Sequence, residues 1–188
     1  MTHENDIDID IDKDKDTGTL PSRVLHCFAL SFIVIALDQW SKYMIVQAFV
    51  YLQSQEIVSF FNLVRVHNTG VAFSFLASDA GWQRWFFPIL GISASLVMYR
   101  LIYTNKHHAL FCWALALIAG GALGNVIDRL IYGYVVDFLD FHWSTWHFAA
   151  FNVADSAISL GAALLILDEL LKLKHHPEAS ETKKDAPS

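Results

Sequence analysis

The chain has 188 residues, of which 54% are hydrophobic, with a mean hydropathy of +0.36 and a formal net charge of −6 at pH 7. This apolar content exceeds that of an ordinary soluble domain and favours insertion into a membrane. The negative charge offers no basic surface for nucleic acid, so we expect no nucleic-acid partner.

The two ends of the chain differ in composition from the part between them. The first 19 residues contain the run DIDIDIDKDKD and no aromatic residue, so they cannot bury a core. We predict a disordered acidic tail over residues 1–19 and a disordered polar tail over residues 174–188. Residues 20–173 then form one membrane domain.

Four apolar segments of this domain are long enough to cross a bilayer as helices, which takes about 20 residues. They are Val24–Gln47, Trp82–Tyr103, Ala109–Leu130 and Phe151–Leu171. The sequence therefore predicts an all-α integral membrane protein with four transmembrane helices.

The positions of lysine and arginine predict which side of the membrane each connection faces, because positive residues are retained on the cytoplasmic side. These residues cluster before the first span, between the second and third spans, and after the fourth: Lys13, Lys15, Arg23, Arg100, Lys106, Lys172 and Lys174. The other two connections carry few cations. We therefore predict that both termini are cytoplasmic and that residues 48–81 and 131–150 face outward.

The first outward connection has the composition of strands and turns. Its segment Glu56–Leu76 is rich in Val, Phe, Asn and Gly, which disfavours a helix. We expect a small extracytoplasmic β element in this connection.

Four aspartates from distant parts of the chain are predicted to lie at the outer level of the membrane. The helical rise places Asp38 about 21 Å and Asp128 about 28 Å from the inner ends of their spans. Asp137 lies in the second outward connection, and Asp155 lies about 6 Å into the fourth span. Carboxylates at this depth need a partner, a wet cavity or a function.

Two of these aspartates have a cation close to them in sequence. Asp38 and Lys42 are spaced i,i+4 on one helix face and can form an ion pair. Arg129 follows Asp128, and its guanidinium can contact carbonyls or a carboxylate on an adjacent segment. We interpret both pairs as architectural.

Asp137 and Asp155 have no neighbouring cation and are surrounded by apolar residues. Two carboxylates close together in an apolar site keep one proton between them, and this is what peptide hydrolysis by an aspartic protease requires. Asp140 is three positions from Asp137 in a strand-like run, so it faces the opposite side and is left out of the site. The alternative that Asp137 and Asp155 only cap helices or bind Arg129 remains open.

Other polar and small residues allow more than one interpretation. Asn68, Asn125 and Asn152 lie near the outer boundary and are either scaffold residues or contacts to a substrate backbone. The small residues of the segment 120–124 favour close helix packing. The cysteines and the paired histidines show no metal-ligand spacing, so we expect no metal or other cofactor.

Five short motifs occur in order along the chain between Val24 and Lys172, and together they resemble the bacterial lipoprotein signal peptidases, also called signal peptidase II. They are Asp38-Gln39-Trp40-Ser41-Lys42, Asn68-Thr69-Gly70-Val71-Ala72-Phe73, the segment 120–129 (GGALGNVIDR), Val136-Asp137-Phe138 and Phe151-Asn152-Val153-Ala154-Asp155. The acidic tail is not part of this resemblance.

The resemblance implies a membrane aspartic endopeptidase in the bacterial cytoplasmic (inner) membrane, with its active site at the outer face. Its substrates would be diacylglyceryl-modified prolipoproteins, cut just before the lipidated cysteine, and the cyclic peptide globomycin would inhibit it. The family's catalytic aspartates fall on Asp137 and Asp155. The residues that would bind substrate or support the site are Asp38, Lys42, Asn68, Gly70, Asn125, Asp128, Arg129 and Asn152.

Two other classes of membrane protein remain as alternatives. A proton-coupled transporter also uses membrane carboxylates, but it usually places them near the midplane, where these spans lack acids. A non-catalytic scaffold would tolerate loss of Asp137 and Asp155. The presenilin-like proteases carry Gly-x-Gly-Asp, which the sequence before Asp137 does not match.

Overall fold

A computed structural model describes residues 20–70 and 83–175 of the chain. Its helices are α1 (Ser22–Ala48), α2 (Gln83–Thr104), α3 (Ala109–Ile131) and α4 (Val153–His175). Its strands are β1 (Ser54–Val58), β2 (Phe61–Asn68), β3 (Val135–Trp143) and β4 (Trp146–His147). The predicted tail over 1–19, residues 176–188 of the predicted C-terminal tail, and residues 71–82 between the first two helices lie outside the described residues.

Three of the described helices are long and apolar enough to cross a membrane. They are Ser22–Ala48, Trp85–Thr104 and Ala109–Ile131, and they correspond to the first three predicted spans. Apolar side chains remain exposed on their outer surfaces, as at Phe32 (71%) and Leu96 (65%), which suits a hydrocarbon solvent.

The fourth predicted span corresponds to α4, but both of its predicted ends are wrong by a few residues. Phe151 lies before the helix and forms a β-bridge with Leu139, because their backbone groups bond reciprocally. At the other end the helix continues to His175, which extends two residues into the predicted C-terminal tail.

Helix α3 is the centre of the bundle, and α1, α2 and α4 all pack against it. Helices α1 and α4 approach α3 closely at its glycines, which have no side chain. A Cβ at Gly120 would lie 2.9 Å from the backbone of Ser31 in α1, and one at Gly121 would collide with the Ala154 carbonyl at the start of α4. The packing role predicted for the small residues of α3 is therefore confirmed.

The strands form one antiparallel sheet in the order β1-β2-β3-β4. The predicted β element in the first outward connection is confirmed for its described part, but the second connection also contributes two strands. In the central pair, Asn68 of β2 lies opposite Val135 of β3, and Val66 lies opposite Asp137. This register places Asn68 and Asp137 near each other at the end of α3.

The sheet is fixed to the helix bundle through β3. Val136 and Phe138 are buried against Ile45 and Phe49 at the C-terminal end of α1. Because β3 is covered by the bundle, the polar side chain of Asp137 between these two residues is also buried.

Candidate active site

A buried lysine holds two of the four predicted aspartates. The Lys42 Nζ lies 2.7 Å from Asp38 Oδ2 and 3.0 Å from Asp128 Oδ2, and it donates a 3.0 Å hydrogen bond to Asn125 Oδ1. An ammonium group has three donors, so these three acceptors satisfy it. All three charged side chains are at most 4% exposed.

The predicted Asp38–Lys42 pair is confirmed, and among the described residues Asp128 forms no ion pair with its sequence neighbour Arg129. Successive residues on a helix point in different directions, so the Asp128 carboxylate lies against α1 and meets Lys42 instead. Arg129 Nη1 donates to the Asn125 carbonyl of its own helix at 3.3 Å.

The two carboxylates paired with Lys42 also fix the backbone of the elements that carry the other two aspartates. Asp128 Oδ2 accepts from the Val136 N–H at 3.0 Å, one residue before Asp137. Asp38 Oδ1 accepts from the Ala154 N–H at 2.9 Å, one residue before Asp155. The ion cluster therefore positions both segments through hydrogen bonds to the main chain.

Gln39 belongs to this ion cluster and was missed as a site residue. Its Nε2 donates to Asp128 Oδ1 at 2.8 Å, to the Gly124 carbonyl at 3.1 Å and to Asp38 Oδ2 at 3.2 Å. The only sequence feature that pointed to Gln39 is its position next to Asp38 in the motif Asp38-Gln39-Trp40-Ser41-Lys42. Spacing alone does not show that a glutamine side chain faces another helix.

Asp137 and Asp155 meet on Asn152. The Nδ2 of Asn152 donates to Asp137 Oδ1 at 2.7 Å, and its Oδ1 accepts from the Asp155 N–H at 2.9 Å. Asp155 Oδ1 accepts in turn from Asn125 Nδ2 at 2.7 Å. The structure thus brings together two carboxylates that are separated by the whole connection from β3 to α4.

The alternative that Asp155 caps a helix describes one part of its role. Asn152 stands just before α4, and its backbone N–H donates to Asp155 Oδ2 at 3.3 Å, so the two residues cap the helix reciprocally. Asp155 Oδ1 faces Asn125 at the same time. The cap therefore fixes the orientation of the carboxylate beside Asp137.

Asp137 is in a different electrostatic state from an exposed aspartate. Its pKa is raised to about 6, first because burial penalises the charged form and second because Asp155 places a negative charge nearby. Hydrogen bonds from Asn68 and Asn152 and the charge of Lys42 oppose the rise. A carboxyl group with this pKa can gain or lose a proton near neutral pH.

One side of the carboxylate pair is formed by a turn and an arginine. Gly70 has a φ of +85°, and its N–H donates to Asn68 Oδ1 at 2.9 Å. A Cβ at Gly70 would lie 2.6 Å from the ring of Phe87, and the same ring lies 5.1 Å from the guanidinium carbon of Arg129. Arg129 also interacts electrostatically with Asp155 and Asp137.

Asp140, which the sequence analysis left out of the site, has polar partners of its own. Its carboxylate accepts from Asn62 Nδ2 and lies 3.0 Å from His147 Nδ1. These contacts lower its pKa despite its burial. Among the described residues, no group of three or more His, Cys, Asp or Glu side chains is arranged to hold a metal ion.

Comparisons with known proteins give one consistent result. A family model described as signal peptidase (SPase) II matches residues 30–171. A lipoprotein signal peptidase of Janthinobacterium sp. (strain Marseille) is 55% identical over 155 residues, which are 81% of this chain and 92% of that protein. One of Burkholderia cenocepacia (strain HI2424) is 57% identical over 145 residues, 77% of this chain and 87% of that protein.

Solved structures of bacterial membrane enzymes have the same fold. One, determined by the in meso method at 1.9 Å resolution, has a TM-score of 0.70 and 31% identity, and the match covers 78% of this chain and 93% of that one. A second, at 2.3 Å resolution, has a TM-score of 0.69 and 29% identity, with 87% and 94% covered.

Proposed function

The chain belongs to the signal peptidase II family, and from this membership we propose that it is an aspartic endopeptidase whose catalytic pair is Asp137 and Asp155. It removes signal peptides from prolipoproteins. The observation that carries the aspartic mechanism is the double contact of Asn152, whose side-chain amide donates to the Asp137 carboxylate and whose backbone N–H donates to the Asp155 carboxylate.

The raised pKa of Asp137 supports a division of labour between the two acids. The ionised carboxylate takes a proton from a water molecule, and the oxygen of that water attacks the scissile carbonyl carbon. The protonated carboxyl group donates to the carbonyl oxygen as the tetrahedral intermediate forms. Collapse of the intermediate breaks the C–N bond as the proton taken from water passes to the leaving nitrogen. One hydroxyl of the intermediate returns its proton to the other carboxylate, which restores the pair and leaves a carboxylic acid. The pair titrates as a unit, so the mechanism assigns the proton to the pair.

The substrate proposed for this site is a prolipoprotein whose cysteine already carries a diacylglyceryl group, with cleavage just before that cysteine. Asn68, Gly70, Asn125, Arg129 and Asn152 surround the pair, so we assign them to binding the substrate or shaping its pocket. Asp38, Lys42 and Asp128 support the pair through the main chain. Globomycin, the cyclic peptide inhibitor of this family, is proposed to occupy the same site.

We also propose that α4 is a fourth span and that the site faces the outer leaflet of the bacterial cytoplasmic membrane. A helix of 23 residues is about 34 Å long, which exceeds a bilayer core of about 30 Å. Its Leu160 and Ile166 are exposed, as lipid-facing residues are. The cations Arg23 and Lys106 lie at the end of the bundle opposite Asp137, which supports cytoplasmic termini.

The test of the catalytic pair compares aspartates on neighbouring elements. Purified wild type, D137N, D155N and the matched control D140N are each given a diacylglyceryl-modified prolipoprotein. We expect both catalytic variants to lose turnover and D140N to retain it, because Asp140 contacts neither acid. Equal turnover in wild type and D137N would refute the aspartic mechanism.

Two further measurements address the substrate and the topology. The same prolipoprotein without its lipid should be cut poorly, and equal cutting would contradict the proposed lipid specificity. In intact spheroplasts, an impermeant maleimide should label S144C, in the turn between β3 and β4, but reach K106C only after permeabilisation. The reverse pattern would overturn the proposed orientation.

A further inference from the structure

A polar cavity lies at the end of the helix bundle opposite the proposed catalytic pair. It has a volume of about 520 Å³ and is lined by Pro21, Ser22, Arg23, His26, Lys106, His107 and Trp113. These residues come from the start of α1, the connection between α2 and α3, and the first turns of α3. Among residues 20–70 and 83–175, no acidic residue lines the cavity.

The cations of this cavity are held in place but are not neutralised by the described part of the chain. Arg23 Nη1 donates to the carbonyls of Lys106 at 2.8 Å and His107 at 2.9 Å, which joins α1 to the α2–α3 connection. Within residues 20–70 and 83–175, neither Arg23 nor Lys106 forms an ion pair. A guanidinium has five N–H donors, so Arg23 keeps donors for a further acceptor.

The backbone around the cavity also favours an anion. Helix α1 and helix α3 both begin at this end, and neither has a side-chain cap or an acidic residue in its first turn. Their free N–H groups and helix dipoles add positive potential to that of Arg23 and Lys106. Two cations and two helix N-termini without side-chain caps therefore lie around the cavity, and no acidic residue of the described chain lines it.

The position of the cavity selects a lipid as the source of that anion. It lies where the apolar stretches of α1 and α3 begin, which is the level of the headgroups for helices of this length. Trp113, half-buried against the apolar cluster that contains Val24 and Ile102, lines its inner wall. An indole at this level suits the boundary between headgroups and acyl chains.

We propose that this cavity binds the phosphate headgroup of an anionic phospholipid, with Arg23 and Lys106 as its ligands. The headgroup phosphate accepts from the guanidinium and the ammonium, and the acyl chains continue along the apolar surface of α1 and α3. Basic pockets between helices are a known way for membrane proteins to hold anionic lipids. The site is separate from the proposed peptidase chemistry.

The test uses the full chain in detergent micelles with equal amounts of phosphatidylglycerol and phosphatidylcholine, and native mass spectrometry counts the lipids retained. We expect wild type to retain phosphatidylglycerol preferentially and K106Q to lose about fivefold of that preference. The variant R23Q/K106Q should lose more. K106Q is the cleaner variant because it leaves the Arg23 hydrogen bonds to the backbone intact.

The matched control R100Q/K174Q removes two exposed cations from the same end of the bundle but outside the cavity. An equal loss in this control would overturn the proposal, because general surface charge would then explain the preference. Displacement of the lipid by millimolar inorganic phosphate would also overturn it and assign the cavity to free phosphate. Retention that is weak in wild type and rises only in D6N/D8N/D10N would overturn it in favour of the chain's own acidic tail.

Discussion

Two pairs of aspartates lie at the same end of the helix bundle and differ in what balances their charge. Asp38 and Asp128 share the ammonium of Lys42. Asp137 and Asp155 are both held by Asn152, which donates its side-chain amide to the Asp137 carboxylate and its backbone N–H to the Asp155 carboxylate. Asp38 and Asp128 also accept hydrogen bonds from the backbone of the segments that carry the other two aspartates, so the first pair is suited to support. Burial and the charge of Asp155 raise the pKa of Asp137 to about 6, so the second pair is suited to proton transfer.

The largest expected effect is on turnover, and it tests whether Asp137 and Asp155 act as one unit. D137N and D155N should each reduce turnover of a lipidated prolipoprotein by roughly 10⁴-fold, the upper end for a general acid or base. The double variant D137N/D155N should lose little more, because removing either member disables the pair. Single-turnover kinetics measure all three variants, and losses that multiply in the double variant would show that the two residues act separately.

The next effect is on the stability of the protein and tests the contacts of Lys42 with Asp38 and Asp128. K42M leaves Asp38 and Asp128 buried without their cation and should lower the free energy of unfolding by about 4 kcal/mol. The matched control is K172M, which breaks the exposed i,i+4 contact of Lys172 with Asp168 and should change stability little. Thermal unfolding in micelles measures both, and similar melting temperatures for the two variants would contradict the supporting role of Lys42.

A smaller effect depends on pH and distinguishes the two pairs directly. The folded pKa of Asp137, about 6, lies above its unfolded value of 3.8, so folding binds a proton between these pH values and wild type loses stability as pH rises through them. D137N has no carboxyl group at this position, so it lacks this pH-dependent loss of stability. Its melting temperature should rise relative to wild type between pH 4 and pH 7, by the equivalent of about 2 kcal/mol. A difference that does not change with pH would contradict the raised pKa.

The smallest effect is steric and acts on the supporting pair alone. A Cβ at Gly124 would lie 2.7 Å from Asp38 Oδ2 and 3.2 Å from its Cγ. G124A should therefore cost about 1 kcal/mol of stability, because the buried carboxylate must move. Thermal unfolding measures this cost, and turnover at low temperature should persist. Unchanged melting would show that the Asp38 site tolerates displacement.

The sequence predicted the features that depend on local patterns. Apolar runs bounded by polar residues located α1 and α3 to within about two residues, and i,i+4 spacing identified the Asp38–Lys42 pair. The absence of a nearby cation singled out Asp137 and Asp155. Each of these inferences required only neighbours along one helix or one short segment.

Features that depend on contacts between distant segments were not accessible in this way. The pairing of β2 with β3 joins the connection after α1 to the connection after α3, and the cation partner of Asp128 is Lys42 of α1. The amides of Asn125 and Asn152 had two open interpretations because spacing does not show which group an amide meets. In the structure both bridge between elements.

The hydrogen bond from the Ala154 N–H to Asp38 joins the first described helix to the last one. Asn152 and Asp155 both lie at the beginning of α4, so a nascent polypeptide that has not yet emerged beyond this point lacks half of the carboxylate pair. The proposed catalytic pair is consequently completed late in biosynthesis, when α4 docks onto a carboxylate that was translated near the start.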